Sequence, residues 1–173
     1  MLNSVDVLIV GAGPVGLNMA LALAKQNIQC RVVDNKSGPA TTSNAIGVNA
    51  RTLEIWQTMG FADEAIERGL KLKAIKLFSK GKLLNQAPFD KIESEFNFML
   101  ALPQAQTEAL LIEQLAKHNI EIEWNTKLTK LEDTADKVCL SCQRGDTLEE
   151  VTAKWVIGCD GYHSSTRELA KFE

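Results

Sequence analysis

Three glycines near the N-terminus have the spacing of a phosphate-binding turn. Gly11, Gly13 and Gly16 form a GxGxxG pattern in VLIVGAGPVGL, directly after four apolar residues, with Pro14 and Val15 inside the pattern. Between a strand and a helix, the first glycine permits a tight turn, the second lets a pyrophosphate approach the backbone, and the third lets the helix pack closely on the sheet. Free N–H groups and the positive end of the helix dipole would then face the phosphates.

The residues around this turn carry the signals of a strand, a helix and a second strand. Residues 6–10 form a short β-branched apolar run, typical of a strand buried in a parallel sheet. Helix formers follow from Pro14, and the next apolar run, QCRVVD, ends at Asp34 with Asn35 directly after it. Asp34 comes about 18 residues after the last glycine, near the offset at which an acid accepts hydrogen bonds from a ribose hydroxyl. We therefore predict a dinucleotide cradle rather than an ordinary glycine-rich bend.

Composition and charge limit the classes of function. The 173 residues are 45% hydrophobic and 24% charged, as in soluble globular proteins, and the net charge of -3 gives no reason to expect nucleic acid. Glycines and a proline interrupt the apolar stretch 7–24, and Asp6 precedes it in place of a positive charge. We therefore predict neither a signal peptide nor a transmembrane segment, and expect a cytoplasmic protein.

The cysteines and histidines do not have the spacing of a metal site. Cys139 and Cys142 form a CxxC, but they lie in an alternating, strand-like run in which positions three apart point to opposite faces. His118 and His163 are isolated in the sequence. We expect structural thiols and no metal.

The middle and end of the chain change from βα alternation to antiparallel signals. Residues 71–103 contain strand-like segments around a Lys80-Gly81 turn, and ESEFNFMLAL alternates like a half-buried strand. A helix is predicted from Gln104 to Lys117, followed by strands in IEIEW, KLTKLE, KVCLSCQ and VTAKWVIG, with RGDTLEE as the loop before the last one. The pattern predicts an antiparallel insertion and a β-meander beside the parallel sheet.

A second motif, VIGCDGYHSSTRELA, follows the last strand. The strand ends at Gly158, a sharp Asp160-Gly161 turn follows, and a helix begins near Ser164 or Ser165. Ser165 and Glu168 have the spacing of a capping box, so part of this motif is explained by helix-start chemistry.

Several side chains near these motifs have both a functional and a structural interpretation. His163 could transfer protons, but a polar residue at a helix entrance is the favoured interpretation. For Arg167, anchoring of its helix through carboxylates is favoured over a contact with a bound ligand. Trp56, Trp124 and Trp155 are interpreted as core residues rather than as stacking platforms for a ligand.

Taken together, the two motifs resemble the FAD-dependent aromatic hydroxylase family, the group A flavoprotein monooxygenases that include p-hydroxybenzoate hydroxylase and phenol hydroxylase. The resemblance implies an α/β, Rossmann-like FAD-binding domain with a parallel sheet, an antiparallel β insertion and a β-hairpin or meander. The residues that carry it are Gly11, Gly13, Gly16, Asp34, Arg51 with Thr52-Leu53-Glu54, Gln104, and Asp160-Gly161 with Ser164 and Arg167.

The resemblance also implies a role for several residues. The glycine turn would hold the FAD pyrophosphate, Asp34 the adenosine ribose, Gln104 the region of the ribityl chain, and Asp160 the phosphate-ribose segment. The family usually has Glu where Asp34 stands. Asn44 occupies a place where many members have Arg, so a charge contact with the cofactor would become at best a hydrogen bond.

By resemblance, the parent reaction is NAD(P)H-driven reduction of FAD, followed by O2-dependent hydroxylation of a small aromatic or similar ring compound. NADH and NADPH both remain open as electron donor, and no catalytic residue is assigned. Two other classes also remain open, namely a related FAD oxidoreductase such as an epoxidase, halogenase or reductase, and a non-catalytic nucleotide-binding module.

The family's third motif, a Gly-Asp pair beside the flavin, is missing from this sequence. We therefore expect residues 1–173 to be the N-terminal part of an FAD-binding domain, inactive alone, with most of the substrate domain absent. Residues 1–70 would form the cradle and following helices, 71–103 a β excursion toward the substrate layer, and 104–173 a helix, meander and DG motif. An incomplete sheet has an unpaired edge strand that can pair with another chain, so a homo-oligomer is one possible state of the protein.

Overall fold

A computed structural model describes residues 3–42 and 45–172, and this described part contains five helices and eleven strands. Asn44, a predicted cofactor contact, lies outside the described residues. The helices are α1 (Pro14–Lys25), α2 (Ala50–Met59), α3 (Ala62–Arg68), α4 (Gln104–Ala116) and α5 (Ser165–Leu169). The strands are β1 (Asn3–Val10), β2 (Cys30–Val33), β3 (Gly47–Val48), β4 (Leu70–Leu72), β5 (Ala74–Ser79), β6 (Lys82–Pro88), β7 (Met99–Ala101), β8 (Ile122–Glu123), β9 (Thr126–Asp133), β10 (Val138–Arg144) and β11 (Thr147–Gly158).

The chain divides into two compact units, the first containing the residues up to 41 and from 108 onward, the second residues 42–107. A six-stranded sheet in the order β8-β2-β1-β11-β10-β9 organises the first unit. β1 pairs in parallel with both β2 and β11, and β2 pairs in parallel with β8, whereas β10 is antiparallel to β9 and β11. This confirms the predicted α/β class, with its parallel sheet and antiparallel meander.

Both faces of this sheet carry buried apolar side chains along β1. Side chains on a strand alternate between faces, so Leu8 and Val10 point to one face and Val7 and Ile9 to the other, and all four are buried. α1 contacts β1 and β2, and its Leu17 is fully buried. One core cluster of the first unit consists of Leu8, Val10, Val33, Leu128, Leu140, Cys142, Val151 and Ala153.

Trp155 is not a core residue, so that prediction is wrong. It lies opposite Val7 in the β1–β11 register and is 71% exposed, whereas Val7 is 4% exposed. An apolar strand pattern identifies the face of a side chain but not whether another element covers that face. Trp56, by contrast, is fully buried as predicted, with its ring centroid 5.3 Å from that of Phe61, and Trp124 is half-buried.

An ionic network joins three strands of the first unit. The half-buried Arg31 guanidinium on β2 donates to Glu123 on β8 through Nε and Nη2, each at 2.6 Å. It also donates to Glu149 on β11 at 3.1 and 2.9 Å. Paired hydrogen bonds from one guanidinium to a carboxylate have a defined geometry, so this network helps to hold β8, β2 and β11 in their places in the sheet.

The start of β11 differs from the sequence prediction. RGDTLEE was expected to be a loop, but β11 begins at Thr147, and Arg144 pairs with Thr147 across a two-residue loop. Gly145, the first loop residue, has φ 58°, as hairpin turns of this length require. The polar Glu149 and Glu150 fit a strand because their carboxylates accept hydrogen bonds from Arg31 and Ser141.

The second unit contains a three-stranded sheet, β3-β7-β4, with α2 and α3. The alternation predicted in ESEFNFMLAL is present in the burial of Phe96, Phe98, Leu100 and Leu102, although only Met99–Ala101 forms a strand. α2 ends at Gly60, which lies in the left-handed region at φ 86° as glycine at a helix C-terminus commonly does.

A separate hairpin, β5–β6, also belongs to the second unit. It turns at Lys80-Gly81, as predicted, with φ values of 48° and 76°, the pattern of a type I′ turn. None of the described helices is long and apolar enough to cross a membrane.

Candidate functional site

Three parallel strands end side by side at one edge of the six-stranded sheet. Val10 of β1 is in register with Val33 of β2 and with Gly158 of β11. The chain segments that leave these strands are hydrogen-bonded to each other, because Gly11 N donates to Val33 O at 2.8 Å and Cys159 N donates to Val10 O at 2.7 Å. Ligands of open α/β sheets bind beyond the carboxyl ends of such strands.

Two of the three motif glycines are required by the protein's own packing. Gly11 has φ 106°, and a Cβ there would lie 2.4 Å from the carbonyl oxygen of Cys159. A Cβ at Gly16 would lie 1.9 Å from the carbonyl oxygen of Gly11, much closer than any real contact. Gly11 therefore permits the turn, and Gly16 lets α1 approach it.

Gly13 is different, because no protein atom requires a glycine there. A Cβ would meet no atom within 4 Å, and the backbone has φ −78° and ψ −179°, which any residue can adopt. The missing side chain instead leaves the backbone open to the space in front of α1. A ligand in the cleft can therefore approach the backbone at Gly13.

The N-terminus of α1 presents unused hydrogen-bond donors to that space. Gly13 is the N-cap residue and provides no side-chain cap, and the first bond of the helix is from Leu17 N to Gly13 O at 3.0 Å. Pro14 has no N–H. Within the described part of the chain, the N–H groups of Gly13, Val15 and Gly16 have no acceptor, so they can bind an anion.

Asp34 points at the glycine turn. Its side chain is 8% exposed; Oδ2 accepts a hydrogen bond from Ala12 N at 2.7 Å, and Oδ1 accepts one from Lys36 N at 2.8 Å. The Ala12 amide is therefore used by the protein and is not available to a phosphate. Each carboxylate oxygen has more than one lone pair, so Asp34 can still accept from a ribose hydroxyl.

A cleft of roughly 390 Å³ lies among these segments. It brings together seven of the predicted site residues, while Gly16 lies packed against Gly11. The predicted residues in the lining are Gly11, Gly13, Pro14, Val15, Asp34, Asn35 and Asp160. The sequence prediction missed the other lining residues, which are Val10, Lys36, Thr126, Lys127, Leu128, Cys159, Gly161, His163 and Ser165.

Lys36 lies in the cleft because it directly follows Asn35, whereas Lys127 reaches the cleft through contacts between segments that are distant in the sequence. Asp34 N donates to Glu123 O, Thr126 N donates to Asp34 O at 2.9 Å, and Asn125 N donates to Lys36 O at 2.7 Å. The start of β9 is therefore bound to the end of β2. No local sequence signal predicts this arrangement, since it follows from the parallel pairing of β8 with β2.

Asp160 fixes the turn at the end of β11 to α5. Its Oδ1 accepts from Ser164 Oγ at 2.6 Å, and its Oδ2 accepts from Thr166 N at 2.9 Å and from Thr166 Oγ1 at 3.2 Å. Partial burial raises the pKa of this carboxyl, but the hydrogen bonds lower it more, so the pKa lies below its ordinary value. Asp160 therefore holds the turn beside the cleft as a carboxylate.

The start of α5 corrects two predictions. The N-cap residue is Ser164, whose hydroxyl accepts from Arg167 N at 3.0 Å, so the Ser165–Glu168 capping box is wrong by one residue. Arg167 was expected to anchor the helix through a carboxylate, but its Nη2 donates to Tyr162 O at 2.8 Å, and no carboxylate of the described residues lies at ion-pair distance from it. His163 is exposed at the cleft, directly before the N-cap, with its ring edge-on to Tyr162.

Gln104 belongs to the second unit. It is the first residue of α4, is half-buried, and its backbone N donates to Ala45 O at 2.9 Å. Its role near a ribityl chain stays a prediction.

The cysteines are free thiols. Cys142 is buried in the core, and burial raises its pKa to about 11, whereas Cys139 is half-buried. Among the described residues, no three His, Cys, Asp or Glu side chains are grouped closely enough to hold a metal ion.

Comparison with known proteins identifies the family of this chain. Residues 4–173 match the family described as the FAD binding domain. The chain is 38% identical over 165 residues to 6-methylpretetramide 4-monooxygenase of Streptomyces rimosus. The aligned region covers 94% of the chain and 30% of that relative. The chain therefore spans about a third of the length of this relative.

Solved structures agree with this match. The p-nitrophenol 4-monooxygenase of Pseudomonas putida DLL-E4 superimposes with a TM-score of 0.91 at 26% identity, covering 98% of the chain and 44% of that structure. Aklavinone-11 hydroxylase, solved with FAD and aklavinone, gives a TM-score of 0.84 at 28% identity, covering 96% of the chain and 35% of that structure. These likenesses confirm the predicted kinship, and the chain belongs to the FAD binding domain family found in FAD-dependent aromatic monooxygenases.

Proposed function

We propose that this chain is the FAD-binding portion of an NAD(P)H-dependent flavoprotein monooxygenase that hydroxylates a small aromatic or similar ring compound with O2. The observation that carries the proposal is the open backbone at Gly13. It lies at an uncapped helix N-terminus, in a cleft, where the fold itself does not need a glycine. A diphosphate that approaches the backbone supplies the missing reason.

The residues in the cleft fit the ADP part of FAD. The N–H groups of Gly13, Val15 and Gly16 would donate to the diphosphate, and the dipole of the twelve-residue α1 favours its negative charge. Asp34 would accept from the adenosine ribose while it keeps its bond to Ala12. The cleft thus offers donors for the phosphates and an acceptor for the sugar.

The remaining predicted contacts are retained in the proposal. Asp160 would support the phosphate-ribose segment by holding the turn 159–161 at the cleft, since its own carboxylate already binds Ser164 and Thr166. Asn35, Gln104 and Asn44 would also contact the cofactor. The division into residues 1–70, 71–103 and 104–173 is also kept.

When bound, FAD supplies the redox chemistry, and the protein supplies binding, orientation and exclusion of water. The described residues that line the cleft serve binding and orientation, and no catalytic residue is assigned among them. Aromatic substrates are supported by the names of the related monooxygenases, which include p-nitrophenol 4-monooxygenase. An NADH or NADPH donor and a cytoplasmic location are part of the proposal and rest on the family resemblance and the sequence pattern.

Titration of the purified protein with FAD tests the proposal. Bound flavin absorbs at about 370 and 450 nm, so bands that co-elute with the protein on gel filtration would support it. Addition of NADH or NADPH without oxygen to the FAD-loaded protein would then test the electron donor through loss of the 450 nm band. If the folded protein did not bind FAD but bound NAD tightly, the assignment would be refuted. A protein that binds FAD but is not reduced by either donor would refute NAD(P)H dependence alone.

A further inference from the structure

Two lysines line the same cleft, and neither was among the predicted site residues. We infer that Lys36 and Lys127 provide the positive charge that holds the phosphates of the adenine nucleotide, an inference that rests on the proposed FAD site. The lining contains two carboxylates, Asp34 and Asp160, and a diphosphate diester is itself a dianion. Without the lysines, the charged side chains of the cleft would repel the ligand.

The backbone holds both lysines at one end of the cleft. Lys36 lies two residues after Asp34, and its carbonyl oxygen accepts from Asn125 N at 2.7 Å. Lys127 follows Thr126, whose N donates to Asp34 O at 2.9 Å. The two lysines are therefore carried by adjacent segments that are hydrogen-bonded to each other, and both residues line the cleft.

The two carboxylates are held by other hydrogen bonds and form no ion pair with these lysines within the described residues. Asp34 accepts from the backbone N–H groups of Ala12 and Lys36, and Asp160 accepts from Ser164 and Thr166. Two other lysines of the first unit do form ion pairs, Lys130 with Glu132 at 3.2 Å and Lys154 with Asp6 at 2.6 Å. Lys36 and Lys127 are exposed, and within the described residues neither has a carboxylate at ion-pair distance.

A lysine is a common phosphate ligand, acting as a point charge rather than through a fixed geometry. Lys36 and Lys127 therefore suit the phosphates of a nucleotide through their charge.

The test compares a ligand that has phosphates with one that lacks them. Calorimetry would measure the affinities for FAD, ADP and adenosine at low and high salt in the wild type, Lys36→Glu, Lys127→Glu and the double variant. Lys130→Glu serves as the matched control, because it makes the same charge change on β9 outside the cleft lining. Thermal unfolding would check that each variant is folded, and Lys36→Gln and Lys127→Gln would replace any that is not.

We expect the double variant to bind ADP and FAD at least about tenfold more weakly at low salt, with a smaller difference at high salt. The affinity of the double variant for adenosine should change less than about twofold, and so should the affinity of the Lys130→Glu control for ADP and FAD. The inference about the lysines would be overturned if the double variant bound ADP as tightly as the wild type, or if it lost as much affinity for adenosine as for ADP. In either case, FAD binding by the wild type would still support the proposed function. A folded wild type that binds neither FAD nor ADP would overturn both.

Discussion

Replacing Gly13 with valine should separate binding from folding. The new Cβ would meet no atom within 4 Å, and φ −78° with ψ −179° suits a β-branched residue. Removing a glycine where the new residue fits also lowers the entropy of the unfolded chain, worth about 0.4–1 kcal/mol. We therefore expect the melting temperature of the variant to be unchanged or to rise by roughly 2–4 °C at most.

FAD binding should respond in the opposite direction. The valine side chain would occupy the space in front of the Gly13, Val15 and Gly16 amides, so the diphosphate would lose at least one hydrogen bond. A hydrogen bond to a charged group contributes about 1.5–3 kcal/mol. The dissociation constant should therefore increase roughly ten- to a hundredfold.

The assay combines thermal unfolding by circular dichroism with FAD titration followed by flavin fluorescence. Gly16→Ala is the contrasting variant, because its Cβ would collide with the Gly11 carbonyl oxygen and the backbone would have to shift. If Gly13→Val binds FAD as tightly as the wild type, the diphosphate does not approach this backbone. If Gly13→Val unfolds, Gly13 serves the fold and the reasoning from open space fails.

Four further predictions concern single residues. Gly16→Ala should lower the free energy of unfolding by about 1–3 kcal/mol or more, measured by urea denaturation. Asp34→Asn should destabilise the protein by about 1–3 kcal/mol and weaken FAD binding. The two carboxylate oxygens of Asp34 accept from the Ala12 and Lys36 N–H groups, whereas the asparagine side chain has only one oxygen to accept with. A variant as stable as the wild type would contradict this prediction. The Asp160 carboxyl has a lowered pKa, so it stabilises the fold above its unfolded pKa and the contribution is lost as the pH falls through the lower folded pKa; Asp160→Asn should flatten the acid side of the stability profile. The Cys142 thiol, with a pKa of about 11, should react with iodoacetamide at pH 8 much more slowly than the unfolded chain does, as mass spectrometry of the alkylated protein would show.

Much of the site was predictable because its signals are local. The glycine spacing, the strand before it and the acid after the next strand lie within one βαβ unit, and parallel pairing of β1 with β2 brings Asp34 to the turn. Lys127 was not predictable, because it reaches the cleft through hydrogen bonds between the β9 start and the β2 end. A residue's own neighbours in the sequence do not contain that contact.

The errors in the fold have the same origin. RGDTLEE has the composition of a loop, but the partners that make Glu149 and Glu150 suitable for a strand, Arg31 and Ser141, come from other strands. Trp155 lies in an apolar strand, yet the sequence does not tell whether anything covers that face of the sheet. The local sequence pattern was enough to predict the type of most elements. For RGDTLEE and Trp155, the outcome depended on which other elements pack against them.

The hydrogen bond from Ala12 to Asp34 makes two separated pieces of sequence behave as one part. Anyone who grafts the glycine turn into another scaffold would have to carry Asp34 with it, since the Ala12 amide would otherwise lose its acceptor. Protein engineers should therefore treat residues 11–16 and 34–36 as a single transplantable cassette.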